Sequence, residues 1–146
     1  LMYRAGIASR LVETRRTYEP CLSADSRWLV YARDEPGTNR AIVRYDTEAR
    51  RNTDLRVGLA RSPKISPDSS RIAYLELVDR QWQVWLMDPS SPKGAAPLWT
   101  GNIHTLHGWT PDGKAILAMD EKTLMWISLD GRLARSIPIA EVYGPE

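Results

Sequence analysis

The stretch that decides the fold is Ile65-Ser66-Pro67-Asp68-Ser69, which is followed by the apolar run Ile72-Ala73-Tyr74-Leu75. The same five-residue pattern occurs twice more, as Leu22-Ser23-Ala24-Asp25-Ser26 and as Trp109-Thr110-Pro111-Asp112-Gly113. Successive copies lie 43 and 44 residues apart. A period in the forties, made of short strand-like runs separated by turn residues, is typical of arrays of four-stranded blades. The sequence therefore predicts a repeat protein.

Each copy of the motif has the composition of a tight turn between two strands. Proline at Pro67 and Pro111 presets its own backbone angle, and Gly113 tolerates a left-handed conformation. An Asp side chain in such a turn can accept hydrogen bonds from nearby amides. We therefore interpret the three motif aspartates as structural residues and not as a catalytic or metal-binding cluster. The acids that close the third strand of each repeat are interpreted in the same way: Asp46, Asp88 and Asp130.

Four strand-like runs, named A to D, follow one another in each repeat. In the second repeat they lie at residues 63–65, 71–75, 83–87 and 96–99. The B and C runs are almost continuously apolar, as expected for a sheet that neighbouring sheets cover on both faces. The predicted fold class is all-β, with about three and a half four-stranded antiparallel blades of the β-propeller type.

The whole chain, residues 1–146, is interpreted as a single propeller segment. Residues 1–18 are expected to end a preceding blade, and 19–60 and 61–101 to form two complete blades. Residues 102–146 are expected to form a third blade, and the last part of them, 139–143, could begin strand A of another. Propellers close with four to eight blades, so the sequence suggests either a fragment of a longer protein or a chain that assembles with copies of itself.

The second repeat resembles the WD-repeat-like propeller blades of the TolB type. The resemblance rests on Pro63, the Ser-Pro-Asp turn at 66–68, the basic Arg71 before an apolar B strand, and a C strand that ends in Asp88. The repeats depart from the TolB-type pattern at Ala24 in the first, at His107 in the third, and at Ser26 and Ser69, which replace the turn glycine in the first and second. The resemblance implies a periplasmic location in a bacterium and binding of protein partners.

Composition and motifs exclude several functional classes. The chain has 20 basic and 18 acidic residues without a concentrated basic stripe, so we expect no nucleic-acid binding by this segment. The single Cys21 cannot form an intramolecular disulfide, and no apolar run approaches the length needed for membrane insertion. No Gly-x-Ser-x-Gly elbow, phosphate-binding glycine loop or His-Glu-x-x-His motif occurs. We therefore expect no enzyme activity, no catalytic or metal-binding residues, and no cofactor.

Aromatic and arginine side chains are the candidates for a binding site, because these residue types dominate the energetics of protein interfaces. Every large ring in the chain carries a polar atom, since there are six Trp, six Tyr and no Phe. The candidate binding residues are Trp82, Trp99, Trp109, His107 and Arg80. Trp85 and Trp126 lie in the middle of C strands, and we expect them to be core residues instead.

Three functions fit these observations. The first is a non-catalytic protein-interaction or scaffolding module of the TolB-like type. The second is an extracytoplasmic sensory or ligand-binding domain of a membrane-anchored winged-helix transcription regulator. The third is the non-catalytic propeller of a prolyl-oligopeptidase-like peptidase. The expected partner is another protein, or a second copy of the chain bound through open blade edges.

Overall fold

The computed structural model describes the backbone of residues 2–4, 7–9 and 16–143, and the side chains of residues 16–141. In the described residues the chain forms short strands and one short helix. In chain order the elements are β1 (Met2–Arg4), β2 (Ile7–Ser9), β3 (Thr17–Leu22), β4 (Trp28–Asp34), β5 (Arg40–Asp46), β6 (Arg51–Gly58), β7 (Ala60–Ile65), β8 (Ile72–Val78), β9 (Gln81–Asp88), β10 (Ser91–Trp99), β11 (Thr105–Trp109), β12 (Ala115–Met119), β13 (Thr123–Ser128), β14 (Leu133–Pro138) and α1 (Ile139–Tyr143).

The strands form three four-stranded antiparallel sheets in simple chain order. Blade 1 consists of β3 to β6, blade 2 of β7 to β10 and blade 3 of β11 to β14. Strands β1 and β2 form a separate two-stranded antiparallel sheet. The all-β fold class is confirmed: the chain is a partial propeller that is not closed. The sequence predicts that residues 10–15 belong to the preceding blade as well. These residues lie outside the described residues.

Residues 139–143 differ from the sequence expectation. They form helix α1 and not the beginning of a further strand A. Pro138 ends β14 because it has no N–H to continue a ladder. The next residue, Ile139, donates its N–H to the Lys122 carbonyl at 2.8 Å. This bond ties the start of the helix to the B–C turn of blade 3.

The A–B turns contain the same side-chain hydrogen bonds in all three blades. In blade 2 the Ser66 hydroxyl donates to the Asp68 carboxylate at 2.8 Å and accepts the Arg71 N–H at 3.0 Å. Asp68 also accepts the N–H of Ser70 at 3.0 Å. The equivalent residues are Ser23, Asp25, Arg27 and Trp28 in blade 1, and Thr110, Asp112, Lys114 and Ala115 in blade 3. The structural interpretation of the motif aspartates is thus confirmed.

One residue in each A–B turn has a left-handed backbone conformation. The φ angles are 61° at Ser26, 63° at Ser69 and 71° at Gly113. A side chain at such a position costs about 1 kcal/mol because its Cβ crowds the following carbonyl. The two serines therefore carry local strain that the glycine of blade 3 avoids.

The core lies between the blades. The B strand of blade 2 shows this best, since Ile72 and Tyr74 pack toward blade 1 while Ala73 and Leu75 pack toward blade 3, all at most 1% exposed. The first seam, between blades 1 and 2, contains Val30, Ala32, Ile42, Leu55, Ala60, Ile72, Tyr74 and Met87. The second seam, between blades 2 and 3, contains Ala73, Leu75, Val84, Ile103, Leu106, Ile116, Ala118, Met125 and Ile127.

A pair of substitutions tests the strain in the A–B turns. We expect Ser69→Gly to raise the free energy of unfolding by about 0.5 kcal/mol, because relief of strain exceeds the added entropy of the unfolded chain. We expect Gly113→Ala to lower it by about 1 kcal/mol. The new Cβ would lie 3.7 Å from Pro67, an ordinary contact, so strain is the cause. Urea denaturation measures both values, and a destabilised Ser69→Gly variant would contradict the assignment.

The turn carboxylates predict how stability depends on pH. Hydrogen bonds from Ser70 and Ser66 lower the pKa of Asp68 to about 2. A carboxyl group whose pKa falls on folding stabilises the protein above its unfolded pKa, and this stabilisation is lost as the pH falls toward the folded pKa. Asp68→Asn should therefore weaken the dependence of stability on pH between about 4 and 2. Thermal unfolding across this range measures it, and an unchanged slope would show that the bonds do not form.

Candidate functional site

The two ends of the blades carry different connections. Neighbouring strands are antiparallel, so the A–B and C–D turns lie at one end of each sheet. The B–C turns and the connections from strand D to the next strand A lie at the other end, which we call the rim. It includes residues 35–39, 79–80 and 120–122 in the B–C turns, and Leu59 and residues 100–104 between blades.

Arg61 and Trp82 form a stacked pair at the rim, between blades 2 and 3. Arg61 lies in strand A and pairs with Leu75, so its side chain is on the face of blade 2 that points toward blade 3. Its guanidinium carbon lies 4.0 Å from the centroid of the Trp82 ring. Cations at this distance from an indole face are attracted by the ring quadrupole.

The backbone of Trp82 is fixed by the connection to blade 3. Its N–H donates to the Asn102 side-chain oxygen at 2.7 Å, and its carbonyl accepts the N–H of Ile103 at 2.8 Å. Ile103 is fully buried in the second seam. The position of the Trp82 ring therefore depends on the docking of blade 3.

Arg61 lies in a partly desolvated environment, as Arg44 does. Its Nε is buried and has no hydrogen-bond partner within the described residues. Burial lowers the pKa of Arg61, and the charge of Glu19 opposes that shift in part. Because an arginine stays charged in spite of such a shift, this cation is partly desolvated and aligned on an aromatic face.

Two further candidate residues lie at the same end of blade 2. Trp99 ends β10, is half-buried and packs against the second seam. A Cβ at Gly101 would lie 2.8 Å from the Trp99 Nε1, so the connection needs glycine there. Arg80 is exposed in the B–C turn, where both Asp79 and Arg80 have positive φ angles, 49° and 63°. This is the geometry of a type I′ hairpin turn.

The remaining two candidates lie elsewhere. Trp109 ends β11 next to the A–B turn, and its Nε1 donates to the Lys64 carbonyl of blade 2 at 2.9 Å. His107 is exposed on β11 at a bulge between Leu106 and Gly108. The structure thus brings Trp82, Trp99 and Arg80 to the rim and separates Trp109 and His107 from them. Whether any of the five binds a ligand stays a prediction.

Trp85 and Trp126, which the sequence predicts to be core residues, are half-buried. Trp85 packs against the first seam, and the guanidinium of Arg56 lies 5.4 Å from its ring centroid. Trp126 lies on the face of blade 3 that points away from blade 2, with Arg135 at 4.9 Å. Arginine side chains therefore cover part of both rings.

Within the described residues, no three His, Cys, Asp or Glu side chains cluster in a way that could hold a metal ion. His104 lies 3.8 Å from Glu121 at the rim. Two such groups do not complete a zinc site, which needs at least three protein ligands.

The described residues include no helix with the length and apolar character needed to cross a membrane.

Comparisons with known proteins place the fold among β-propellers. No family model matches the sequence, and no curated protein matches it. Among solved structures, TolB from Acinetobacter baumannii matches with a TM-score of 0.72 at 18% identity, over 83% of this chain and 32% of that one. The β-propeller domain of the Trilobed protease from Pyrococcus furiosus matches with a TM-score of 0.69 at 16% identity, over 85% and 43%.

A gluconolactonase from Xanthomonas campestris also matches, with a TM-score of 0.68 at 10% identity, over 90% of this chain and 50% of that one. The chain thus spans at most half the length of these structures. Their propellers belong to enzymes as well as to TolB. The similarity confirms propeller blades with a fold like that of TolB.

A substitution at Trp109 tests whether this candidate joins two blades. Trp109→Phe keeps an aromatic ring but removes the donor to the Lys64 carbonyl. We expect the free energy of unfolding to fall by about 1–2 kcal/mol, because a part-buried carbonyl loses its partner. The matched control is Trp99→Phe, since the Trp99 nitrogen makes no hydrogen bond within the described residues. Equal losses for both variants in urea denaturation would exclude a role for this bond.

Proposed function

We propose that this chain is part of a non-catalytic propeller that binds a partner protein through its rim. The observation that supports this most is the Arg61–Trp82 pair. Arginine and tryptophan are enriched among the residues that contribute most to protein interfaces. Here the pair is half-buried and held in place by the connection at 100–104, so little conformational entropy would be lost on binding.

Arginine side chains recur at the rim of blades 1 and 2, interspersed with the acids Asp34, Glu35 and Asp79. At the first seam the guanidinium groups of Arg16 and Arg40 each lie 5.1 Å from the centroid of the Tyr18 ring. Asp34 lies 3.7 Å from Arg40 and accepts the hydroxyl of Tyr18. With Arg61 and Arg80, the rim of blades 1 and 2 therefore presents a series of cations and rings. We infer that an acidic protein segment binds there.

Six of the described aspartates are bound within turns. Hydrogen bonds within the turns lower the pKa of the motif acids and of the acids after the C strands: Asp25, Asp46, Asp68, Asp88, Asp112 and Asp130. A general acid at neutral pH needs the opposite shift, toward 7. These carboxylates stay ionised and accept backbone hydrogen bonds, which is a structural use.

A second candidate is the propeller of a peptidase, favoured by the match to the Trilobed protease propeller. In that case a hydrolase domain with a Gly-x-Ser-x-Gly motif would belong to the same longer polypeptide. A TolB-like role would instead place the chain in a bacterial periplasm. The sensory alternative stays a prediction that would require a winged-helix domain and a membrane span in the same polypeptide.

Selection of a displayed library of random peptides on the immobilised chain tests the proposal. We expect the enriched peptides to be rich in Asp and Glu. Their affinity should fall about 10- to 30-fold for Arg61→Gln, which corresponds to about 1.4–2 kcal/mol. The matched control is Arg132→Gln. Arg132 lies in the C–D turn of blade 3, at the end opposite the rim, and its side chain is 86% exposed. The affinity of the peptides for this variant should equal their affinity for the parent chain.

Two results would contradict the proposal. The first is a selection that yields no peptide with saturable binding. The second is a set of peptides that bind the parent chain and Arg61→Gln equally well, which would place the contact surface away from the rim.

A further inference from the structure

The end of the second seam that lies opposite the rim contains a cavity of about 330 Å³. Blade 2 provides most of its wall, including Arg71, Leu86 and Asp88, and blade 3 contributes Leu129. Leu86 packs against the second seam, whereas Leu129 is 42% exposed. Pockets that bind small ligands have volumes of roughly 300–1,000 Å³. The cavity therefore has room for a small organic group between the two blades.

The repeats allow the two seams to be compared position by position. In blade 1, Arg44 pairs with Val30, which is buried in the first seam. In blade 2, Leu86 pairs with Ala73, which is buried in the second seam. Val30 and Ala73 lie at the same distance from the start of their turn motifs. Arg44 and Leu86 therefore occupy equivalent positions.

An indole ring lies at this place in the first seam. Trp28 is half-buried and lies two residues before Val30, so both side chains are on the face that points toward blade 2. The guanidinium carbon of Arg44 lies 4.2 Å from the centroid of the Trp28 ring. Met87, which blade 2 contributes at this end of the first seam, is only 1% exposed. The apolar side chain of blade 2 is thus covered here.

The second seam has no ring at the equivalent position. Alignment of the turn motifs puts Arg71 at the position of Trp28, and alignment of the acids after the C strands puts Leu129 at the position of Met87. Leu129 is 42% exposed, whereas Met87 is 1% exposed. The cavity therefore lies where the first seam contains an indole ring.

Strand D of blade 2 widens the cavity. In blade 1, strands C and D pair without a register shift over residues 51–54. In blade 2 the register shifts between Ser91 and Ala96, so the residues between them form a bulge. Ser91, Gly94 and Ala96 line the cavity. The cavity thus depends on a bulge that blade 1 lacks at this place.

The charged groups of the cavity favour an aromatic ligand. Within the described part of the chain, the Arg71 guanidinium forms no ion pair and donates no hydrogen bond. The Asp88 carboxylate is already bound, since it accepts the N–H and the hydroxyl of Ser90 at 2.9 and 2.6 Å. The Arg71 cation is therefore available to a ring face, to which cations are attracted, as Arg44 is placed on Trp28.

We propose that this cavity binds the planar aromatic ring of a ligand, for which indole is the model. The ring would lie against Leu86 and Leu129, with the Arg71 guanidinium on its face. A free aromatic compound and the aromatic side chain of a peptide present the same ring to the cavity. The cavity lies at the end opposite the rim, so binding there is independent of partner binding at the rim.

Titration of the intact chain with two fluorinated probes, followed by fluorine NMR, tests the proposal. The probes are fluoroindole, which represents a free compound, and N-acetyl-fluorotryptophan amide, which represents a side chain within a peptide. We expect saturable binding of at least one probe. Binding of fluoroindole alone would identify the ligand as a free aromatic compound, and binding of the amide would identify it as a peptide side chain.

Two variants of Arg71 separate the roles of space and charge. Arg71→Trp introduces the residue that blade 1 has at this position, and its ring should fill the cavity and weaken probe binding at least about tenfold. Arg71→Gln removes only the cation and should weaken binding about 3- to 10-fold. The matched control is Arg51→Gln in blade 1, where the arginine is exposed. It should bind the probes as the parent chain does.

The location of the bound probe is read from backbone amide shifts of the parent chain, so this measurement does not require a variant to fold. We expect the largest shifts at Leu86, Gly94 and Leu129. Near-UV circular dichroism checks the fold of each variant. No saturable binding of either probe would overturn the proposal. The same conclusion would follow from shifts confined to other residues, or from equal affinities of the parent chain and a folded Arg71→Trp variant.

Discussion

A sheet that is apolar on both faces must be covered on both faces, and the rest of this structure depends on that constraint. Alternate residues of a strand point to opposite sides, so the run Ile72-Ala73-Tyr74-Leu75 buries two side chains against each neighbouring blade. No blade can satisfy this requirement alone. The two seams between blades are therefore the core of the chain, and the position of every other surface follows from them.

The polar A–B turns set the register of strand B in each blade. In each A–B turn a hydroxyl accepts the N–H of the residue five positions later, and an aspartate accepts another amide. Residues at these turns form the hairpin that starts strand B in the correct register, so the alternation of buried side chains begins at the same place in all three blades. The same hydrogen bonds account for the repeated aspartates of the turns.

Much of the fold could be predicted because its determinants are local and repeated. The period of the motif, the turn residues and the apolar B and C runs predicted three four-stranded blades and a partial one. The stacking of Arg61 on Trp82 could not be predicted in this way, since it depends on strands A and C of one sheet and on the docking of the next blade. The half-burial of Trp126 depends on the absence of a further blade beside it in the described chain. Helix α1 follows from Pro138, whose effect on strand continuity outweighs the apolar composition of 139–143.

The most direct test is residue-resolved amide hydrogen exchange on the monomeric, diluted chain. If burial between blades determines stability, the amides of β8 and β9 should exchange slowly, because blade 2 is covered on both faces. Those of β12 and β13 should exchange at least about tenfold faster, since local opening there exposes less buried surface. Equal or greater protection of β12 and β13 would contradict the account, because blade 3 would then be stable without a neighbour on the face that points away from blade 2.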